Sequence, residues 1–280
     1  MHGEDRTARV YWILLAAPLL MLALFYLYPL GKVLWLSVST PSLGLGNFAQ
    51  LYSSAAIQRI LVTTARICAI TTVITLLVGY MLAYAALHVR SRHGELLMFI
   101  VLLCFWLSVL IRAFGWLALL QSRGVINTAL IQWGIISEPL AMMRNEFGVI
   151  VGMVHYMVPY AVLPLYANMK GIDQRIVPAA RGLGASPMTA FLRVYLPMCV
   201  PGIMSAGILV FIFSLGFYVT PALLGGGKTV MIAEYIALQI NDTLNWGVGT
   251  MLATSLLITV FALLVLVSRV ADLSKVFGVK

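Results

Sequence analysis

The chain of 280 residues is 62% hydrophobic and only 10% charged, and its mean hydropathy is +1.00. This composition excludes an ordinary soluble globular protein, in which about 25% of residues are charged, and it excludes intrinsic disorder, which requires low hydrophobicity. The formal net charge of +9 would suggest nucleic-acid binding in a soluble protein. In a chain this apolar, however, basic residues are expected to collect in the cytoplasmic loops of a membrane protein.

Six uncharged stretches are long enough to cross a bilayer, which requires about 20 apolar residues in a helix. Two further uncharged stretches are not expected to cross. Residues 33–58 are rich in amides and turn formers, which are costly in hydrocarbon, and residues 124–137 are too short and suit an interfacial or re-entrant helix. The sequence therefore predicts an all-α membrane protein with six transmembrane helices. The six stretches are residues 10–31, 67–89, 96–111 with apolar character to 120, 147–169, 194–227 and 243–268.

The distribution of basic residues predicts the orientation of these helices. With both termini in the cytoplasm, eleven basic residues lie in internal segments and five lie in external segments or their rims, as the positive-inside rule requires. The internal residues are Arg6, Arg9, Arg90, Arg92, Lys170, Arg175, Arg181, Arg193, Arg269, Lys275 and Lys280. The external residues are Arg59, Arg112, Arg123, Arg144 and Lys228.

The predicted organisation is a transmembrane core that follows a separate first helix. We expect a cytoplasmic N-terminus over residues 1–9, a first transmembrane helix over residues 10–36, and an external loop over residues 37–59. The core over residues 60–269 contains five helices and an internal loop at 170–197, and residues 270–280 form a cytoplasmic C-terminus.

The internal loop 170–197 is the longest and most basic of the internal segments. Pro178 suits the first position of a helix, where its missing N–H is not needed. Gly184 is placed to end that helix in the left-handed conformation. The small residues Ala179 and Ala180 would let this short helix approach the backbone of another protein closely.

A second short helix is predicted to begin after Gly184. Ser186 suits the N-cap and Pro187 the first helical position. The helix is expected to run to about Tyr195, and Pro197 then restarts the chain for the fifth span. This pattern fits a loop that docks into a groove of another protein and fits a plain connecting loop equally well.

The same loop resembles the cytoplasmic signature of binding-protein-dependent ABC importer permeases. That signature reads Glu-Ala-Ala, three residues, Gly, nine residues, an aliphatic residue, one residue and Leu-Pro, and Pro178 takes the place of its Glu. The remaining positions have the required spacing and are Ala179, Ala180, Gly184, Val194, Leu196 and Pro197.

Three other stretches resemble this family, and one of them resembles its spermidine/putrescine-type branch. Residues 220–226, which read Thr-Pro-Ala-Leu-Leu-Gly-Gly, are similar to the outer end of the fifth span in that branch. Residues 46–48, which read Gly-Asn-Phe, resemble the external segment that follows the first span in the family. Asn245 and Trp246, followed by Gly247, resemble the segment that leads into the last span.

The resemblance implies the transmembrane domain of a type I ABC importer in a bacterial inner membrane. The implied partners are a second, related permease, two cytosolic ATPase subunits and an external solute-binding protein. The implied solute is a polyamine or another small amine-bearing compound. The residues that would couple the loop to the ATPase are Pro178, Ala179, Ala180, Arg181, Gly184, Ala185, Leu196 and Pro197.

Polar and aromatic residues make the fourth span and the outer end of the fifth unusual for lipid-facing helices. Polar, proline-interrupted helices commonly line substrate paths. We therefore take His155, Tyr156, Tyr160, Phe217 and Tyr218 as candidates for the translocation path. The alternatives are a histidine that hydrogen-bonds between helices and aromatic residues that sit at the membrane interface.

No residues of the sequence form a convincing catalytic or metal site, and no cofactor is predicted. Residues 225–229 read Gly-Gly-Gly-Lys-Thr, but a phosphate-binding loop requires glycine where Ala222 stands. We therefore expect a transport subunit that is not an enzyme. A secondary transporter remains an alternative, although it would favour a carboxylate at membrane depth, and a haem or quinone subunit would need two deep histidines.

Overall fold

The computed structural model describes residues 2–270, and all regular structure within them is helical. The first half of the described chain contains α1 (His2–Leu22), a π-helical turn (Ala23–Leu27), α2 (Tyr28–Ser39), α3 (Gly46–Ser53), α4 (Ala55–His88), α5 (Ser91–Trp106), α6 (Val109–Leu120) and α7 (Val125–Gln132). The second half contains α8 (Glu146–Lys170), α9 (Ile176–Gly182), α10 (Pro187–Ala190), a second π-helical turn (Phe191–Tyr195), α11 (Leu196–Leu215), α12 (Val219–Leu224), α13 (Ile232–Asn241) and α14 (Trp246–Val270).

Six helical stretches are long and apolar enough to cross a membrane, as predicted. The third lies at Val109–Gln132 and not at 96–120, because the helix is interrupted at Leu107 and Ser108. Both residues have extended backbone angles, and the Ser108 hydroxyl accepts a hydrogen bond from the Leu110 N–H at 3.3 Å, which caps α6. The third span thereby extends into the stretch 124–137, and the prediction that this stretch takes no part in a span is wrong for its first nine residues. The six stretches are Leu14–Ser39, Ala55–His88, Val109–Gln132, Glu146–Lys170, Pro187–Leu215 and Trp246–Arg269.

Each of the two π-helical turns is followed by a proline, with one residue between them. Ala23–Leu27 ends two residues before Pro29, and Phe191–Tyr195 ends two residues before Pro197. A proline lacks the N–H that the carbonyl four residues earlier would accept from, and its ring clashes with that carbonyl. That carbonyl lies within the wider π turn in both cases, so the helix continues through the proline. The predicted restart at Pro197 is therefore wrong, because Pro187–Leu215 is one continuous span.

The described residues form two compact units, of which the first contains residues 2–58 and Tyr235–Thr259. None of the 18 consecutive residues that make up the most apolar part of its first span, Leu14–Ser39, is buried. Within this unit the start of α14 packs against the turn after α2. A Cβ at Gly247 would lie 2.6 Å from the Thr40 carbonyl oxygen, and the Asn47 side chain donates a hydrogen bond to the same oxygen.

The second unit contains, among the described residues, Arg59–Glu234 and residues 260–270. Helix α8 is its centre, and α11 makes its most extensive packing against α8. At three glycines, α8 and a neighbouring helix come close together. A Cβ at Gly152 would lie 2.5 Å from Leu224, a Cβ at Gly202 would lie 2.6 Å from Asn168, and a Cβ at Gly79 would lie 2.9 Å from Ala161.

An ion pair between Arg66 of α4 and Glu146 at the start of α8 joins these two helices. It is the one salt bridge among the residues whose side chains the structure describes, 11–12 and 14–269. Glu146 lies in the first turn of α8, where a negative charge is stabilised by the helix dipole. The cytoplasmic C-terminus predicted at 270–280 lies outside the described residues beyond Val270.

Candidate coupling loop and translocation path

Helix α9 of the loop ends in a complete Schellman motif. Gly184 has φ of +93°, the left-handed conformation that the sequence predicts. Its N–H donates to the Arg181 carbonyl at 3.0 Å, and the Ala185 N–H donates to the Ala180 carbonyl at 3.1 Å. These are the two hydrogen bonds that define the motif. The end of α9 is thus fixed by the backbone and does not depend on contacts with the rest of the protein.

The start of α9 differs slightly from the prediction, because the helix begins at Ile176 and Pro178 is its third residue. The first backbone N–H groups of a helix have no acceptor within the helix. A proline at the third position therefore removes no helical hydrogen bond, and the helix can begin two residues earlier than expected.

The second part of the loop begins as predicted. Ser186 is the N-cap of α10, its hydroxyl accepts a hydrogen bond from the Thr189 N–H at 3.2 Å, and Pro187 is the first helical residue. Because α10 continues through the π-helical turn into α11, the loop is joined to the fifth span by unbroken helix.

Large apolar side chains of the loop are exposed to solvent. Leu183 is 91% exposed and Met188 is 67% exposed. A Cβ added at Gly182 or at Gly184 would meet no atom within 4 Å. An exposed leucine on a rigid turn is suited to a pocket of another protein.

Three of the five predicted path residues belong to one aromatic group in the second unit, and His155 lies in a separate pair with Trp116. Tyr156 and Tyr160 of α8 have ring centroids 5.7 Å apart, and the Tyr156 ring lies 4.6 Å from Phe217, in the break between α11 and α12. The Nδ1 atom of His155 accepts a hydrogen bond from the indole N–H of Trp116 at 3.1 Å. Tyr218, the fifth predicted residue, is 46% exposed.

The bond from Trp116 joins α6 to α8, so His155 makes the interhelical hydrogen bond that is the alternative to a path role. Because Nδ1 is the acceptor, the neutral ring carries its proton on Nε2. This hydrogen bond is compatible with a path role, because it uses only Nδ1 and leaves the Nε2–H of His155 as a donor for a solute.

Arg112 is the residue of this group that the sequence pattern does not reveal. Its predicted place is the external rim, yet it is only 8% exposed. Its Nη2 donates to the Leu107 carbonyl at 2.8 Å, and its guanidinium carbon lies 4.2 Å from the centroid of the Tyr156 ring. The Nε and Nη1 atoms have no hydrogen-bond partner among the described residues. The arginine therefore joins the break between α5 and α6 to the aromatic group on α8.

The glycine-rich segment 225–229 forms a turn, as expected. Gly226 and Gly227 both have positive φ, and the Lys228 N–H donates to the Gly225 carbonyl at 3.2 Å. The segment follows the short helix α12 and precedes α13, whereas a phosphate-binding loop follows a strand.

Comparison with known proteins agrees with these features. The family described as "Binding-protein-dependent transport system inner membrane component" matches residues 75–273, which is well over half of the chain. The spermidine/putrescine transport system permease protein PotB of Haemophilus influenzae is 36% identical over 198 residues, covering 71% of this chain and 69% of that protein. PotB of Escherichia coli K12 is 31% identical over 216 residues, covering 77% and 78% of the two chains.

A more distant relative has a different name. The putative 2-aminoethylphosphonate transport system permease protein PhnU of Salmonella paratyphi A is 26% identical over 199 residues, covering 70% of this chain and 68% of that protein. The more similar relatives and this one are all transport system permeases.

Solved structures of ABC transporters share the fold. A chain of a bacterial ABC transporter involved in the import of the acidic polysaccharide alginate superimposes with a TM-score of 0.76 at 17% identity, covering 96% of each chain. A chain of the MetNI methionine ABC transporter superimposes with a TM-score of 0.56 at 16% identity, covering 78% of this chain and 97% of that one. The chain belongs to the family of inner membrane components of binding-protein-dependent transport systems, the multi-pass permease subunits of ABC importers.

Proposed function

We propose that this chain is one of two permease subunits that enclose the translocation path of an ATP-driven importer for a polyamine or a related small amine-bearing solute. Its partners are a second, related permease, two cytosolic ATPase subunits and an external solute-binding protein. Both termini and the loop 170–197 face the cytoplasm. ATP is hydrolysed in the ATPase subunits, and this chain performs no covalent chemistry.

One observation carries this proposal, namely the rigid loop with an exposed apolar tip. The Schellman motif fixes the end of α9, and Leu183 projects from it into solvent. The loop also has the family's residue spacing from Ala179 to Pro197. We assign the tip to a groove of the ATPase, and the unbroken helix from α10 into α11 to the transmission of its movement.

The assignment of roles within the loop follows from its geometry. Ala179 and Ala180 keep the face of α9 small, Gly184 sets the direction of the chain, and Ala185 completes the motif through its N–H. Leu196 and Pro197 lie where the π-helical turn joins α11. ATP binding favours one state of the assembly only if the ATPase contacts differ between the two states, and a loop attached rigidly to a span satisfies that condition.

The amine-bearing solute is inferred from the relatives. The face of the Tyr156 ring is taken by the Arg112 guanidinium at 4.2 Å, so this ring does not itself argue for a cationic solute. The relatives with more than 30% identity are named for spermidine and putrescine. We assign His155, Tyr156, Tyr160 and Phe217 to the path, with Tyr218 at its exposed end.

Uptake by the reconstituted importer tests this proposal. The chain is assembled with its partner permease, ATPase and binding protein in proteoliposomes, and the accumulation of labelled spermidine is measured with and without ATP. We expect saturable uptake that requires ATP and the binding protein. In the Gly184→Asp variant, the complex should insert normally but hydrolyse ATP without transport or lose its ATPase subunits.

Two outcomes would contradict the proposal. Uptake driven by an ion gradient without ATP would favour the secondary transporter. Normal ATP-dependent uptake by the Gly184→Asp variant would show that the loop does not couple the ATPase to the path. Selective uptake of another solute class would refute the amine assignment alone.

A further inference from the structure

A cavity of the molecule lies between the loop 170–197 and the ends of α4 and α8. Its volume is about 400 Å³, which is within the range of roughly 300–1,000 Å³ typical of small-molecule sites. One wall is formed by α9 and Pro187 of the loop, and the other by the end of α4 and the π-helical turn before α11. The path residues described above do not line it.

Aromatic rings form the wall on the side of the spans. The Tyr84 ring stacks on His88 with centroids 3.9 Å apart. It is nearly perpendicular to the rings of Phe191 and Tyr195, whose centroids lie 5.9 and 5.7 Å from its own. Tyr195 is 6% exposed. The rings hold one another in place across two helices, so the wall is preformed and loses little conformational entropy when a ligand binds.

A histidine and two charged side chains are among the polar groups that line the cavity. The Nδ1 atom of His88 lies 2.9 Å from the Tyr84 carbonyl oxygen, which can only accept, so the neutral ring keeps Nε2 as an acceptor. Asp173 presents a carboxylate, of which Oδ1 accepts one hydrogen bond from the Arg175 N–H. Arg181 is the basic group on the loop wall. Neither Asp173 nor Arg181 forms a salt bridge with any of the side chains that the structure describes, which are those of residues 11–12 and 14–269.

We propose that this cavity, between Tyr84 and Phe191 on the span side and Asp173 at its mouth, binds a protonated amine on the side of the membrane where the loop lies. Aromatic faces and a carboxylate are the groups that recognise ammonium ions. The site rests on the proposed function only for the origin of its ligand, which would be the imported amine after its release. The cavity then acts as a sensor of accumulated product.

Binding there would inhibit the transporter, because the ligand would touch both the loop and the spans. A ligand shifts an equilibrium only if it binds the two states with different affinity. A molecule wedged between Pro178 on the loop and Tyr84 on α4 fixes their separation. Movement of the loop that changes this separation is therefore opposed while the amine is bound.

The test uses the assembled transporter in lipid nanodiscs, where both membrane faces are accessible. Basal ATP hydrolysis is measured without the binding protein while spermidine is added, and each variant is normalised to its own rate without spermidine. We expect spermidine to lower hydrolysis, and Asp173→Asn or Phe191→Leu to raise the half-inhibitory concentration by about three- to tenfold. Asp242→Asn and Phe99→Leu, which change exposed residues outside the cavity, are the matched controls.

The Arg181→Gln variant tests whether the ligand binds through a positive or a negative charge. If the ligand is an amine, removing this basic group should leave the half-inhibitory concentration unchanged or lower it. An increase comparable to that of Asp173→Asn would show that an anionic group of the ligand is bound, and would refute the amine assignment.

Two further results would refute the site itself. Inhibition that is equal in the wild type and in both cavity variants would place the effect in the ATPase subunits, and a lack of inhibition would exclude a sensor. Because Asn is close in size to Asp, Asp173→Asn tests the site even if Phe191→Leu fails to assemble. Uptake of external spermidine is a separate measurement, so failure of the polyamine proposal and failure of the cavity proposal are distinguishable.

Discussion

The guanidinium carbon of Arg112 lies 4.2 Å from the centroid of the Tyr156 ring, in a part of the molecule where the arginine is only 8% exposed. Two of its nitrogens have no hydrogen-bond partner among the described residues. A buried charge with unpaired donors costs free energy. Its presence therefore points to a constraint other than stability, and we propose that the constraint is the shape of the path around Tyr156.

Replacing this arginine by an apolar residue of similar length should separate stability from transport. We expect Arg112→Met to leave the melting temperature of the purified complex unchanged or higher, because an incompletely paired charge is removed. Spermidine uptake should fall about tenfold, since the contact that positions Tyr156 is lost. Arg123→Met, which changes an exposed arginine beyond α6, should affect neither quantity. A large fall in melting temperature with normal uptake per folded complex would instead give Arg112 a structural role.

Two glycines test the packing at the centre of the second unit. A Cβ at Gly152 would lie 2.5 Å from Leu224, whereas a Cβ at Gly115 of α6 would meet no atom within 4 Å. Gly152→Ala should therefore destabilise the protein by about 1–3 kcal/mol, and Gly115→Ala should be neutral or stabilise it by up to about 1 kcal/mol. Thermal unfolding of the detergent-solubilised protein measures both. Equal melting temperatures for the two variants would contradict the close contact between α8 and α12.

The buried carboxylate of Glu234 in α13 predicts a pH dependence of stability. Burial raises the pKa of Glu234 above its ordinary value of 4.5, against a smaller opposing effect of its hydrogen bond to the Met231 backbone. The folded state therefore retains this proton to higher pH than the unfolded state. The contribution of Glu234 to stability is most favourable below pH 4.5 and declines as the pH rises through the folded-state pKa.

Melting temperatures of the wild type and Glu234→Gln, measured from about pH 4.5 upward, test this sign. The variant cannot ionise, so its advantage over the wild type should grow with pH and then become constant. Glu138→Gln, at an exposed position, should show no such trend. A wild type that gains stability relative to Glu234→Gln as the pH rises would mean that the carboxylate is stabilised in its charged form.

Local chemistry explains which features the sequence predicts well. The left-handed Gly184 and the Ser186 N-cap depend on the backbone of a few neighbouring residues, and both are as expected. The number of spans follows from apolar length alone. The role of the loop in coupling and the roles of the path residues stay predictions.

Other features depend on contacts that a sequence pattern does not report. A charge such as Arg112 is assigned to a rim because isolated charges are costly in hydrocarbon, and its partner Tyr156 lies on another helix far along the chain. The aromatic wall of the cavity joins Tyr84 to Tyr195, which are on helices far apart in sequence. The break at Ser108 and the π-helical turn before Pro197 each alter a helix without a change in apolar pattern.

The central claim is that the tip of the loop lies in the cytoplasm and contacts the ATPase, and site-specific cross-linking tests it most directly. In a variant that lacks Cys68, Cys104 and Cys199, a single cysteine replaces Leu183, or Leu43 as a control that is also exposed. The proposal predicts that the cysteine at position 183 cross-links to the ATPase subunit and is protected from impermeant reagents in sealed cells, whereas the cysteine at position 43 is labelled from outside. Labelling of position 183 from outside, with no cross-link to the ATPase, would contradict it.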